Sequence, residues 1–500
     1  MERLSTATLH RLPPSVKRPS YDRQALKAGV IHIGLGAFHR AHQAPMFDRL
    51  AEAGDLRWGV IGASLRSPVV RDALAPQDCL YSLAIDEGSE RRISIIGALR
   101  DVIVAPEAPQ RLIDAIASPD AHLVTVTVTE KGYKLHPSGS LMEDDPDVRA
   151  DLASLQAPRT LAGTLTAGLK LRKERGLTPL TILSCDNIAA NGRKLLASVA
   201  QVARAHDQAL ADWIAADCAF PNTMVDRIVP ATTEADIERI STELGLLDRA
   251  TVRTEPFSQW VIEDRFAGER PDLELAAVQL ADDVGPWEEA KLRLLNGAHS
   301  AMAYLGGLGG IATVDRFVAK PWGRAFIDLL WDELRPTLQP PPQFDLGVYC
   351  ATLMQRFGNS ALGHRLVQIA MDGSQKIPQR LVPAAIERLE RGQSLDAISL
   401  TIAAWMRWQQ GRTDDGMRFA ADDPLASTTS RLLKSASTAA EQVRALLSFS
   451  AVFPERLRDN ARFQSLLTAH FETLQQIGAR ATAERLVLER AGASQRRARA

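Results

Sequence analysis

Lys291, Asn296 and His299 place an amine, an amide and an imidazole at positions i, i+5 and i+8. On an α-helix, at about 100° per residue, the three directions fall within an arc of about 140°. One side of one helix then offers a base, a hydrogen-bond donor and an orienting ring to a single small molecule. Removal of an alcohol proton needs those roles. A half-buried helix with three incidental polar residues fits the same spacing. Other suppliers of the chemistry are missing: none of the five tyrosines has a lysine four residues on, and the ten histidines include no His-Glu-x-x-His. His39 and His42 stand close together without an adjoining third ligand, so no catalytic metal is expected.

The elements that must position these residues change character along the chain. The first part alternates strand-like and helix-like segments. Residues 30–33, 58–62, 122–128 and 180–183 read as strands, the third rich in β-branched residues, and 161–175 and 192–206 read as helices. Such alternation predicts an α/β fold with a mostly parallel sheet covered on both faces. From about Pro286 the β signal fades. The stretches 288–305, 321–334, 346–357, 384–391, 394–410, 439–449 and 454–477 read as helices. A rigid loop is expected around Pro336, Pro340, Pro341 and Pro342. Two domains are therefore expected, 1–285 and 286–500, as 500 residues exceed what one core usually holds.

Three strand ends carry candidate binding residues. The first strand runs at once into Gly34-Leu35-Gly36-Ala37-Phe38-His39. This is the setting of Gly-x-Gly-x-x-Gly, in which the glycines turn the chain and let a pyrophosphate approach a helix N-terminus. His39 stands where the third glycine belongs, and a purely structural turn also fits. The second strand normally ends in an acid that bonds the adenosine ribose. Here Ser64 and Arg66 follow it, and these could instead accept a 2′-phosphate or simply form a solvated loop. Glu130 and Lys131 close the third strand, as pocket groups or as an exposed ion pair. Asp186 and Asn187 end another, as helix caps or, for Asn187, as an amide donor to a substrate oxygen. Asp226 and Arg227 are open to structural and pocket roles alike.

Bulk composition excludes several classes. Hydrophobic content is 45%, charged content 24%, and net charge −1. Nothing there recommends nucleic acid or an anionic membrane as partner. No run approaches the roughly 18 uncharged apolar residues of a membrane span. The four cysteines are scattered without metal-ligand spacing, which points to a reducing, cytoplasmic setting. The arginine-rich end (Arg496, Arg497, Arg499) reads as a frayed, solvated tail.

In combination the motifs resemble the mannitol dehydrogenase family of polyol-specific long-chain dehydrogenases. The residues that carry the resemblance are 34–42, 127–133, 184–187, 225–227, 255–263, 291–299 and 371–378, in order from about 28 to 410. Residues 255–263, 291–299 and 372–380 look most like the branch that reduces D-fructuronate to D-mannonate. The part beyond about 425 adds little. The resemblance implies a Rossmann-type, doubly wound N-terminal domain, a largely α-helical C-terminal domain, and the active site between them. It implies metal-independent hydride transfer between C2 of a polyol or aldonate and nicotinamide C4, with NAD as cofactor and NADP open. A small sugar acid or polyol is the expected partner, and the chain is expected as a monomer or small homo-oligomer.

The resemblance also implies roles. Lys291 matches the general base, Asn187 and Asn296 the amides that hold the reacting oxygen, and His299 the substrate-orienting ring. Glu130 matches a carboxylate associated with proton exit, and Asp226 and Glu288 match substrate-pocket positions. The cofactor stretch spans Ile33, Gly34, Leu35, Gly36, Ala37 and Phe38, with Ser64 and Arg66 at the second strand. An exposed lysine titrates at about 10.4, and burial beside a cationic ring would lower it. Arg365, Lys376 and Arg380 are candidates for the counter-charge of a uronate carboxylate, or are solvent-facing cations. Two further readings stay open: the same chemistry on mannitol, fructose, arabinitol or tagaturonate, and a nucleotide-binding sensor that has lost catalysis.

Overall fold

The computed structural model describes residues 1–499, with side chains through residue 492, so the side chains of the arginine-rich end lie outside the described residues. The chain forms two compact units, Met1–Gly285 and Pro286–Ala500. The strands among the described residues are β1 (Val30–Ile33), β2 (Val60–Ser64), β3 (Tyr81–Glu87), β4 (Glu90–Ile96), β5 (Leu99–Val104), β6 (Leu123–Val126), β7 (Thr181–Ser184), β8 (Thr223–Asp226), β9 (Val252–Thr254), β10 (Gln259–Glu263) and β11 (Gln279–Ala281).

The parallel sheet expected from the sequence has five strands in the order β5-β2-β1-β6-β7, every pair parallel, with the four predicted strands joined at the edge by β5, which is not among those predicted. β1, β6 and β7 are buried along their whole length. That fits strands covered on both faces and explains their near-continuous apolar runs. Alternate residues feed two cores. Val30, Val60, Leu99 and Leu123 join one with Phe47 and Leu50 of the helix Gln43–Glu52. Ile31, Ile33, Val124 and Val126 join the other, with Leu165 and Val199 from the helices Leu161–Glu174 and Asn191–His206. Helices on both faces of a parallel sheet make this the doubly wound arrangement.

Two smaller sheets have no counterpart in the predicted strands. One has the order β4-β3-β9, in which β3 and β4 form an antiparallel hairpin. The other, β11-β10-β8, pairs β8 and β10 antiparallel. Apart from the β3–β4 hairpin, their pairings join segments farther apart in sequence, such as Leu83 with Val252.

The second unit is helical and has one apolar core running from Ala290 to Leu486. The helices Pro321–Leu334 and Leu346–Phe357 fall where the periodicity predicts. Four α-helices of this unit, Val314–Val318, Leu366–Ile369, Gly373–Arg380 and Ala426–Ser435, lie outside the predicted ones. The region past 425 is an integral part of the core through Leu433, Val443, Leu446 and Phe463. Among the described residues no helix is long and apolar enough to cross a membrane.

The predicted continuous α-helix over 288–305 is interrupted. The helix Gly285–Ala290 passes into a π-helical segment Lys291–Asn296, returns to α over Gly297–Ala301, and becomes π-helical again over Met302–Gly306. In a π turn the backbone bonds run i to i+5, so Lys291 and Asn296 stand one turn apart on the same side. An α-helix would separate them by about 140°.

Candidate active site

The candidate residues fall in both units. In the first, β1 ends at Ile33 and the chain turns through Gly34, whose φ is +98°. A Cβ there would lie 2.0 Å from the Thr127 carbonyl oxygen, so only glycine fits. Gly34 N–H and Leu35 N–H both donate to Ala63 O, at 2.8 and 3.1 Å, which ties the turn to β2. Gly36 caps the short helix Ala37–Ala41. A Cβ on Gly36 would meet nothing nearer than Gly34 O at 3.7 Å, so one side of the turn is open. An open backbone face at a helix start is what a pyrophosphate needs. The turn therefore fits a dinucleotide, with Leu35, Ala37 and Phe38 around it.

His39, in place of the third glycine, stacks face to face on His32 of β1, with ring centroids 3.4 Å apart and 15° between planes. The third glycine normally serves close helix–strand packing. Two flat rings in contact provide another way to pack there. His32 Nε2 donates to Gly34 O at 3.2 Å and its Nδ1 lies 2.8 Å from Thr125 Oγ1, so the ring also braces the turn. Burial pushes the His32 imidazole down to about 3 and holds His39 well below the usual histidine range. Both are neutral at physiological pH.

β2 ends in Ser64, with no acid on the turn that follows. Ser64 Oγ accepts the backbone N–H groups of Arg66 (3.4 Å) and Ser67 (3.2 Å), and Arg66 itself is exposed. Beyond β6, Glu130 and Lys131 open the turn Glu130–Tyr133, and both are exposed. The capping role considered for Asp186 and Asn187 is not seen: the helix Asn191–His206 is capped by Ala190. Asp186 instead accepts Val128 N–H and Thr129 N–H, both at 2.9 Å, and the Tyr133 hydroxyl at 2.8 Å. It pins the Thr127–Tyr133 loop to the end of β7. Burial raises its carboxyl above the usual range. Asn187, next to it, is exposed.

Asp226, the last residue of β8, is buried. Arg227 beside it donates through Nη2 to Glu255 O at 3.0 Å and through Nη1 to Ala41 O, and burial lowers its guanidinium to about 10. Arg227 thus holds backbone, the structural alternative of the sequence reading.

In the second unit Lys291, Asn296 and His299 are all buried on one continuous helical run, and Glu288 is half-buried one turn earlier. Arg380 fastens the run: its Nη1 donates to Asn296 O at 3.2 Å and to Ser300 Oγ at 3.1 Å. His299 lies edge-on to His364, with centroids 5.2 Å apart, and against Phe357 at 5.1 Å. Burial first, then His364, Arg380, Arg356 and Lys376, hold its imidazole well below the usual range. His299 is therefore neutral, and its Nε2 has no hydrogen-bond partner within the protein. Lys376 Nζ donates to Ile369 O (3.3 Å) and Met371 O (2.5 Å), and burial lowers its ammonium. Arg365 is exposed, one residue after His364. Sequence reasoning missed Arg356 and His364. Both precede the recognised 371–380 stretch, and neither stands in a motif or at a spacing that ties it to His299. Among the described residues no group of three or more His, Cys, Asp or Glu could hold a metal.

A doubly wound sheet opening on a glycine turn defines a Rossmann-type dinucleotide-binding fold, here followed by a helical unit with a buried lysine. Residues 28–275 match the mannitol dehydrogenase Rossmann domain and residues 283–475 the mannitol dehydrogenase C-terminal domain. The chain belongs to the mannitol dehydrogenase family and is a dehydrogenase of that family. It is 40% identical to the D-mannonate oxidoreductase of Escherichia coli (strain K12), over 93% of this chain and 97% of that protein. It is also 40% identical to a mannitol 2-dehydrogenase of Pyrenophora tritici-repentis, over 94% of this chain and 84% of that one. The mannitol 2-dehydrogenase of Pseudomonas fluorescens, solved as a ternary complex with NAD and D-mannitol, superposes with a TM-score of 0.86 at 36% identity, covering 97% of this chain and 99% of that one.

Proposed function

We propose that the chain reduces the C2 keto group of D-fructuronate to D-mannonate with NADH, reversibly and without a metal. The observation that carries this reading over a neutral polyol is the cationic setting of His299. Arg380 donates to Asn296 O and Ser300 Oγ on either side of His299, Lys376 stands one turn before Arg380 on the same helix, and a uronate brings a carboxylate to match these cations.

When bound, the nicotinamide cofactor would supply or accept the hydride. Lys291, neutral in the oxidative direction, takes the hydroxyl proton, and as ammonium it returns that proton to the new alkoxide in reduction. Asn187 and Asn296 donate N–H to the oxygen as charge develops on it. His299, neutral and with Nε2 unpartnered, orients a substrate hydroxyl. Asp226 and Glu288 are the proposed substrate-binding acids, and Arg365 and Lys376 the proposed counter-charges to the carboxylate. Glu130, exposed, passes the proton to solvent. Leu35, Gly36, Ala37 and Phe38 receive the pyrophosphate.

Mannitol 2-dehydrogenase activity is the second reading, favoured by the equal identity of the Pyrenophora enzyme. NADH oxidation with fructuronate, tagaturonate and fructose in parallel separates the two. Turnover on fructuronate well above the others is expected. A preference for fructose would move the assignment to polyol oxidation with the same residues.

A further inference from the structure

In a doubly wound fold the adenosine half of a dinucleotide lies beyond the carboxyl end of the second strand. An acid there bonds the ribose 2′-hydroxyl and repels a 2′-phosphate. At that place this chain has a cavity of about 500 Å³, lined among others by Leu65, Arg66, Ala105, Pro106, Lys134 and Arg159. Leu65, Ala105 and Pro106 supply apolar wall suited to an adenine ring.

The charges around the cavity are unequally satisfied. The strand ends in the hydroxyl of Ser64, already engaged with two backbone N–H groups of its own turn, so no carboxylate occupies the ribose position. The acids nearest along the chain, Asp72 and Glu107, are both bound by Arg71. Lys134 is paired with Asp145 at 2.5 Å, and Arg159 stands 3.9 Å from Asp147. Arg66 is exposed, and its guanidinium makes no hydrogen bond or ion pair among the described residues. A planar guanidinium with no counter-ion, beside a cavity whose lining carboxylate, Asp147, is faced by Arg159, suits a dianionic phosphate.

We propose that this cavity is an adenosine subsite that accepts a 2′-phosphate on Arg66, so that the chain binds NADPH as well as NADH. The inference rests on the dinucleotide reading of the glycine turn and is independent of which sugar is reduced.

The test is titration of the full chain with NADH and with NADPH, without sugar, followed by energy transfer from tryptophan to the nicotinamide. The expected NADPH Kd lies within about tenfold of that for NADH. Arg66→Ala should raise the ratio of the NADPH Kd to the NADH Kd by about tenfold or more, the loss of one charge-assisted contact. Ser64→Asp should raise the same ratio by repulsion, and added salt should weaken NADPH more than NADH. NADH binding without NADPH binding would overturn the proposal. So would an Arg66→Ala variant in which both Kd values shift alike, since that is a general effect on the loop. Failure of both nucleotides to bind would remove the dinucleotide reading itself, and this inference with it.

Discussion

Lys291, the base of the proposed mechanism, would owe that role to its surroundings rather than to its type. In water an ammonium at about 10.4 is a poor base near neutrality, so the role proposed for Lys291 depends on its surroundings in the bound complex. Lys291 is 8% exposed, at the start of a π turn that sets Asn296 over it. Lys291→Ala is expected to lower kcat by about 10²–10⁴-fold, the usual worth of a positioned acid–base group, with the NADH Kd changed by less than about twofold. Steady-state rates beside a fluorescence titration check this. Turnover close to wild type would end the assignment of Lys291 as the base. His299 illustrates the converse case, a ring kept neutral by burial among cations, so that it can hydrogen-bond without adding charge.

Two glycines on one turn have different physical jobs, and the difference is measurable. Gly34 is needed by the fold: its φ is +98°, and a Cβ would run into the Thr127 carbonyl. Gly36 has φ −97°, which any residue adopts, and room for a Cβ in the protein alone. Gly36→Ala is therefore expected to change stability by no more than about 0.5 kcal/mol while weakening NADH by about tenfold or more, because the new methyl occupies the approach to the helix N-terminus. Gly34→Ala should lower the Tm and lose binding together. Thermal melts and NADH titrations of the two variants suffice, and a Gly36→Ala protein that binds NADH normally would contradict the placement of the pyrophosphate. The His32–His39 stack belongs to the same element, since it secures the helix to β1 where the usual motif has a third glycine.

At the scale of the whole molecule, each unit owns its core. The buried clusters built on the five-stranded sheet draw only on residues before 285, and the helical core only on residues after it. A unit with its own core can fold alone. Residues 1–285 expressed by themselves are expected to fold and to bind NADH, yet to reduce no substrate, because Lys291, Asn296 and His299 are absent. Circular dichroism, NADH fluorescence and an activity assay on the fragment decide it. An unfolded fragment would show that the sheet's cores are not sufficient.

The class of the molecule was legible in its sequence because class depends on local, periodic signals. Strand–helix alternation up to about 285, the glycine turn after β1 and the helical periods beyond 286 are each read within a window of a few residues. Lys291, Asn296 and His299 were likewise visible as neighbours on one element. Tertiary structure alone decided the rest. The two small sheets pair segments as distant as Leu83 and Val252. The π turn depends on a shift of backbone bonding that no residue type dictates. Asp186, which reads locally as a cap, ties a loop 57 residues away. Arg356, Lys376 and Arg380 act on His299 from later helices, and His364 from the loop before Leu366–Ile369. A pattern along the chain reports which face of an element is apolar. It carries no record of which distant element arrives on that face, and the charge felt by His299 is a property of that arrival.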